Sequence, residues 1–494
     1  MSLLRKLAGQ TAVYGLPSIL GRFLNYLLVP IHLSQFSPDV YGVITELYSY
    51  VAFFVVLLTY GMETAFFKFS ISHEREKVYS NALGSILITT TAFLLLGLLL
   101  SGTIASALDY QDHPEYIIWF ALILGLDAVS AIPMARLRQE NKAIKFAVVN
   151  LGSIAVTILV NLLFIGYCMP HYRAGQSNWF INAIYNPELG VGYVFVATLA
   201  ASAFKCLLMY AEIIRIKLRF EFQLMKEMLA YALPLLVAGL AGIINETFSR
   251  GFFKYFLEPR IGHQAAMYQL GIFGAVYKLS ILITLFIQAY RYAAEPFFFQ
   301  QSKEGGGGNA LYVQMMNIFS FIVFGMFLVV TLFIDVFKLF LNNEEYYVGL
   351  HIVPILLLAN AFLGISYNLS VWYKLSGKTM YGAYISIAGA IVTMGLNWIL
   401  IPTMGYEGAA WSTLACYGTL MVLSYLLGRL FYPIPYQVGK NLGFLALALG
   451  LFFIDHYFVP ASGALGYVIN ILLLFIFAGT FLLVEKPKAI FKRA

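Results

Sequence analysis

Fourteen apolar runs, each of about 20 residues or more, follow one another along the chain with only short polar breaks between them. A helix crosses the hydrocarbon of a bilayer in about 20 residues. The runs, 11–34, 40–66, 82–107, 115–135, 146–168, 191–213, 229–248, 264–290, 314–341, 350–373, 380–402, 407–430, 441–459 and 464–484, therefore predict an all-α polytopic membrane protein. Composition agrees: 61% of the 494 residues are hydrophobic and 11% charged, against about a quarter charged in soluble chains. Cys168, Cys206 and Cys416 lie in or beside apolar segments without metal-ligand spacing, so neither a disulfide framework nor a zinc site is expected. The opening MSLLRKLAGQ has the charge of a signal peptide, but the apolar run behind it is too long and no small-residue cleavage site follows. It reads as the approach to a first spanning helix.

An even number of spans returns both termini to one side, and cytoplasmic connections carry the excess of Lys and Arg. With the N-terminus inside, the inner segments hold 23 of the 31 basic residues, and the outer segments hold only Arg173, Arg250, Lys254 and Arg260. The net charge of +7 is thus a topology signal and does not imply nucleic acid. The longest connection, about 169–190 on the outer side, reads as an ordered cap or lid, and GGGG at 305–308 as a flexible inner linker. Gly377-Lys378-Thr379 echoes a phosphate-binding loop, but Trp372 stands where that loop needs a glycine, so no ATPase follows.

The chain repeats. Tyr14-Gly-Leu-Pro17 opens the first span and Tyr231-Ala-Leu-Pro234 the seventh; Arg138, Lys142 and Asn161 recur 236 residues later as Lys374, Lys378 and Asn397. GVGYVFVATLA at 190–200 is echoed by GYEGAAWSTLA at 405–415. Helices 1–6 therefore repeat in the same direction as helices 7–12, which predicts two six-helix bundles, residues 1–220 and 221–430, around a central cavity. Residues 431–494 hold two further helices and a tail.

Charges inside spans cost roughly 2.5–3.5 kcal/mol each and mark pathways. Arg22 shares a helical stripe with Ser18 and Asn25. From a rise of about 1.5 Å per residue, Arg22 and Asp127 lie about 18 Å from the outer end, Lys205 and Lys278 about 21 Å, and Glu46 about 9 Å. Arg22, Asn25, Asp127, Lys205 and Lys278 are the candidate substrate contacts, a belt suited to an anion such as phosphate. Glu46, Asp127 and Glu246 are candidates for coupling Na+ or H+, with Glu46 and Glu246 shallow enough to reach outer water; no other cofactor is expected. The alternative for Arg22 is an ion pair with Asp127 that pins helix 1 to helix 4, and Asn161 and Asn397 read as helix-packing hydrogen bonds.

LRKLAGQTAVYGLPSILGRFLNYLLVPIHLSQFSPDVYGV, ARLRQENKAIKFAVVN and NWILIPTMGYEGAAWSTLACYG resemble the polysaccharide-biosynthesis branch of the multidrug/oligosaccharidyl-lipid/polysaccharide (MOP) flippase superfamily, over nearly the whole chain. The resemblance implies an alternating-access flippase of the bacterial cytoplasmic (inner) membrane, multi-pass with both termini cytoplasmic. Its implied substrate is an undecaprenyl-pyrophosphate-linked oligosaccharide, moved to the outer leaflet for O-antigen or other cell-surface polysaccharide. It implies further that Arg22 matches the basic residue of the first helix, that the last two helices can line a lipid-tail groove, and that the lipid bilayer and other polysaccharide-assembly proteins are partners. A cation-coupled drug antiporter of the same superfamily is the alternative. A membrane-embedded glycan polymerase or transferase is more remote, since no paired carboxylates or metal motif stand in a loop.

Overall fold

The structure, a computed structural model, describes residues 19–214, 220–304, 308–459 and 463–485. Among them there is no strand, as expected where hydrocarbon leaves each backbone group to be satisfied within its own helix. Twelve helices are long and apolar enough to cross a membrane, and Gly192–Leu208 is an apolar helix of shorter length. The first expected span completes the fourteen. Its residues 11–18, with Ser18, lie outside the described residues; the rest is helical over 19–26 and again over α1 (Val29–Gln35). Pro30 has no N–H to give to the preceding turn, and the chain makes a short turn at Leu27 and Leu28 just ahead of it.

Two compact units form, Met1–Gly274 and Ala275–Ala494. The first holds α2 (Pro38–Thr59), α3 (Met62–Phe69), α4 (Arg75–Leu99), α5 (Pro114–Gln139), α6 (Ala143–Asn161), α7 (Trp179–Ile184), α8 (Gly192–Leu208), α9 (Phe222–Gly251) and α10 (Phe253–Ile261). α11 (His263–Glu304) begins in this unit and ends in the next. The second continues with α12 (Gly308–Leu332), α13 (Val353–Leu369), α14 (Met380–Met404), α15 (Tyr406–Phe431), α16 (Val438–Phe458) and α17 (Ala464–Glu485). The units part after Gly274 rather than after residue 220, because α9 packs on α2, α3 and α4. Met62, Phe66, Val78, Tyr79, Ile132 and Met228 form part of a buried apolar cluster there.

α2 and α11 meet backbone to backbone. A Cβ on Gly271 would stand 1.7 Å from the Pro38 carbonyl oxygen, and one on Gly42 2.4 Å from that of Met267. Nothing larger than hydrogen fits at either position.

The repeat is written into local geometry. Asn161 Nδ2 donates to the Thr157 carbonyl at 2.8 Å, and 236 residues later Asn397 Nδ2 donates to that of Thr393 at 2.7 Å. Asn141 and Gly377, also 236 residues apart, both take positive φ. Gly190 (φ 46°, ψ −116°) precedes α8 as Gly405 (φ 58°, ψ −132°) precedes α15, a conformation open to glycine because it has no Cβ.

α6 runs on through a π-helical stretch, Leu162–Cys168. The long connection that follows carries local structure: Asn178 caps α7 by accepting from the Ile181 N–H at 3.0 Å, and the Asn186 N–H donates to the Tyr193 hydroxyl at 2.6 Å. Gly305, Gly306 and Gly307 of the glycine run lie outside the described residues, and α12 starts at Gly308.

Candidate functional site: buried and open charges of the first unit

Helix 1 is held against α6. A Cβ on Gly21 would fall 2.3 Å from Ile154 Cδ1, and His32 Nε2 shares a 2.8 Å hydrogen bond with Asn161 Oδ1, both residues buried. With Gly21 and His32 inward, the stripe carrying Arg22 and Asn25 is exposed. Among the described residues Arg22 forms no ion pair.

The expected alternative, Arg22 with Asp127, gives way to a different pair. Lys205 Nζ of α8 donates to Asp127 Oδ1 of α5 at 2.7 Å, and Ser202 Oγ donates to the same oxygen at 3.1 Å. Both ionic side chains are about a quarter exposed, Lys205 24% and Asp127 26%. Lys205 and Asp127 thus neutralise each other between the sixth and fourth spans, not between the first and fourth. Lys278 lies on α11 within the second unit, half-buried and with contacts of its own.

Glu46 corrects a second expectation. Placed from its depth as reaching outer water, it is fully buried, 0% exposed, because α9 and α10 cover it. Tyr50 donates to Oε1 at 2.7 Å, Tyr110 donates to Oε2 at 2.6 Å, and Lys254 Nζ stands 3.1 Å from Oε1. Lys254 is itself 0% exposed and reaches the Leu108 carbonyl at 2.5 Å and Asp109 Oδ2 at 3.4 Å. Burial and the neighbouring Glu46 carboxylate push the Tyr110 phenol well above its usual range, which keeps its proton available for the hydrogen bond. One buried glutamate thereby ties together α2, the turn before α5, and α10. Charges this deep persist only when paired and fully hydrogen-bonded. Glu246 of α9, by contrast, is exposed.

Sequence reasoning missed Lys254, which it counted among the outer connections. The available signal was its setting, Phe252-Phe253-Lys254-Tyr255-Phe256, a lone cation among aromatics. Asp109, Glu258 and His263 bring one ligand atom each within 4.8 Å of one another, the only such group among the described residues. Asp109 already faces Lys254, and His263 Nδ1 lies 3.4 Å from Glu258.

Most of the chain superposes on solved transporters. Lipid II flippase MurJ, in an inward closed conformation, aligns with a TM-score of 0.65 over 95% of this chain and 98% of its own, at 13% identity. The fold is that of the MOP transporters. A MATE family transporter of the MOP superfamily in an inward-facing conformation aligns at 0.55 over 87% and 94% of the two chains, at 16% identity. The MATE multidrug transporter DinF-BH aligns at 0.60 over 86% and 96%, also at 16% identity. Neither a family model nor a curated protein sequence matches the chain. Within the MOP fold, the first unit presents an exposed arginine on its opening helix and pairs the spanning carboxylates Asp127 and Glu46 with its own lysines.

Proposed function

We propose that this MOP-fold chain is a transporter that moves a lipid-linked, pyrophosphate-bearing oligosaccharide from the inner to the outer leaflet by alternating access, without enzymatic chemistry. The observation that carries this reading is the state of its charges. An antiporter of organic cations needs open carboxylates in its pathway, whereas here Asp127 is held by Lys205 and Glu46 by Lys254, which leaves Glu246 as the one exposed carboxylate of the three candidates, while Arg22 stands exposed. Arginine offers a planar fork to phosphate oxygens. Asn25, one turn on, is placed to help, and Lys278 is proposed as a further contact for the headgroup. The likeness to lipid II flippase MurJ supports the same substrate class. Both termini are proposed to lie in the cytoplasm of a bacterial cell, with the inner membrane as the site of action and other polysaccharide-assembly proteins as partners.

The driving force follows from the charge moved. About two negative charges travelling outward from an inside-negative potential of about 100 mV move downhill and gain about 4.6 kcal/mol. Entry of Na+ or H+ through exposed Glu246 would add to it.

Leaflet-resolved flipping in proteoliposomes tests the proposal, with a pyrophosphate-linked polyprenyl oligosaccharide and an imposed potential. The wild type should move the lipid with a rate that rises with the potential, and Arg22→Ala should abolish movement while inserting and folding normally. Unimpaired flipping in Arg22→Ala removes the site. Exchange of an organic cation for Na+ or H+, with no lipid movement, assigns the chain to the antiporters that DinF-BH exemplifies.

A further inference from the structure

The second unit contains a cavity of about 170 Å³ where the end of α12 meets the end of α16 and the start of α17. Asp335, Asp455, His456, Tyr467 and Asn470 supply its polar lining. Apart from Asp455 and its neighbour His456 in the last turn, α16 carries acidic or basic side chains only at its first turn, where Lys440 stands.

Acceptors outnumber donors here. Asn470 is 7% exposed; its Nδ2 donates to the Leu332 carbonyl at 2.6 Å, and its Oδ1 has no partner. A buried acceptor left unsatisfied costs about 1–3 kcal/mol. Asp455 lies beside this amide. Asp335 gives one oxygen to Lys338 Nζ at 2.6 Å, leaving the other for the cavity. Two carboxylates thus share one lysine and the Asn470 amide donor, and the amide oxygen of Asn470 stays without a partner. The surrounding surface is apolar and open: Phe453, Ile454, Phe458, Leu465 and Val468 are all exposed, which in a membrane-spanning chain means contact with acyl chains.

We propose that this cavity binds a primary ammonium group, and that its occupant is the headgroup of an amine-bearing phospholipid such as phosphatidylethanolamine. An ammonium brings three N–H donors and one positive charge, which matches Asn470 Oδ1, Asp455 and the second oxygen of Asp335. The cavity is too large for a bare metal ion and takes a two-carbon amine. His456 and Tyr467, both exposed at the rim, offer donors to the phosphate that follows the amine in such a lipid. A choline headgroup has no N–H and leaves Asn470 Oδ1 unsatisfied, so the site distinguishes two lipids of otherwise similar shape. The proposal is independent of which substrate the chain transports.

Native mass spectrometry of the full chain, released from detergent with phosphatidylethanolamine or phosphatidylcholine added, reads this directly. Phosphatidylethanolamine should be retained with roughly tenfold preference, the factor expected when one buried acceptor gains a donor. Asp455→Asn should erase the preference, and Asn470→Leu should reduce it, with unchanged flipping in each. Equal retention of the two lipids, or a preference that survives both substitutions, overturns the site. Displacement of the bound lipid by free ethanolamine at equal concentration overturns the lipid as occupant and assigns the cavity to a soluble amine. Should Asp455→Asn fail to fold, Asn470→Leu alone decides between these results.

Discussion

Lys254 and Asp127 show how differently a charge behaves with depth. Glu46 and Lys254 are both 0% exposed, and removing one partner of such a pair leaves an uncompensated buried ion, at a cost of about 3–5 kcal/mol. Lys254→Met should therefore lower the thermal midpoint of the purified protein sharply, and adding Glu46→Gln should recover much of the loss, since two neutral groups then face each other. Lys205→Met, at a pair about a quarter exposed, should cost about 1 kcal/mol or less. Equal losses for the two lysines, measured by denaturation in one detergent, would contradict the burial argument. The depth of Glu46 is legible in its own run, but the exclusion of water there is not, because Lys254 lies 208 residues away and Tyr110 belongs to a different connection. Arg22 is readable for a simpler reason: an arginine in an apolar run has few tolerable environments, and exposure on a polar stripe is one of them.

Helix positions are legible because hydropathy is a local property; each of the fourteen expected spans meets a helix in the described residues. Which helices touch is less legible. By sequence the first span has an attachment only in the alternative reading, an Arg22–Asp127 pair to helix 4, whereas Gly21 and His32 hold it to α6, and nothing local singles out His32, whose partner Asn161 is 129 residues away. His32→Leu should leave Asn161 Oδ1 buried without a donor, costing about 1–3 kcal/mol. Hydrogen exchange should then quicken in α1 and at the end of α6, the segments joined at that bond, while Arg22→Ala leaves both protected. Faster exchange elsewhere, with α1 unchanged, would mean that apolar packing alone anchors the helix. The π-helical stretch itself has no sequence signal, since its composition does not differ from the α-helix before it.

At the scale of the molecule, a sequence repeat and a compact unit are different things. The repeat divides near residue 220, the compact units divide after Gly274, and α9, α10 and the start of α11 belong to the second copy by sequence and to the first unit by packing. What joins them most closely is the crossing of α2 with α11, where Gly42 and Gly271 bring main chain against main chain. Contacts of that kind switch between discrete states instead of stretching, because a small separation forfeits packing before it admits a water molecule. For a cell this is a matter of electrical insulation. Under the proposed function the chain works within a potential of about 100 mV and must not short it, and a seam of main chain packed against main chain at Gly42 and Gly271 offers protons and ions no transient wire. Gly271→Ala wedges that seam by a methyl group, and its signature should be a passive proton current across vesicles that hold no substrate at all.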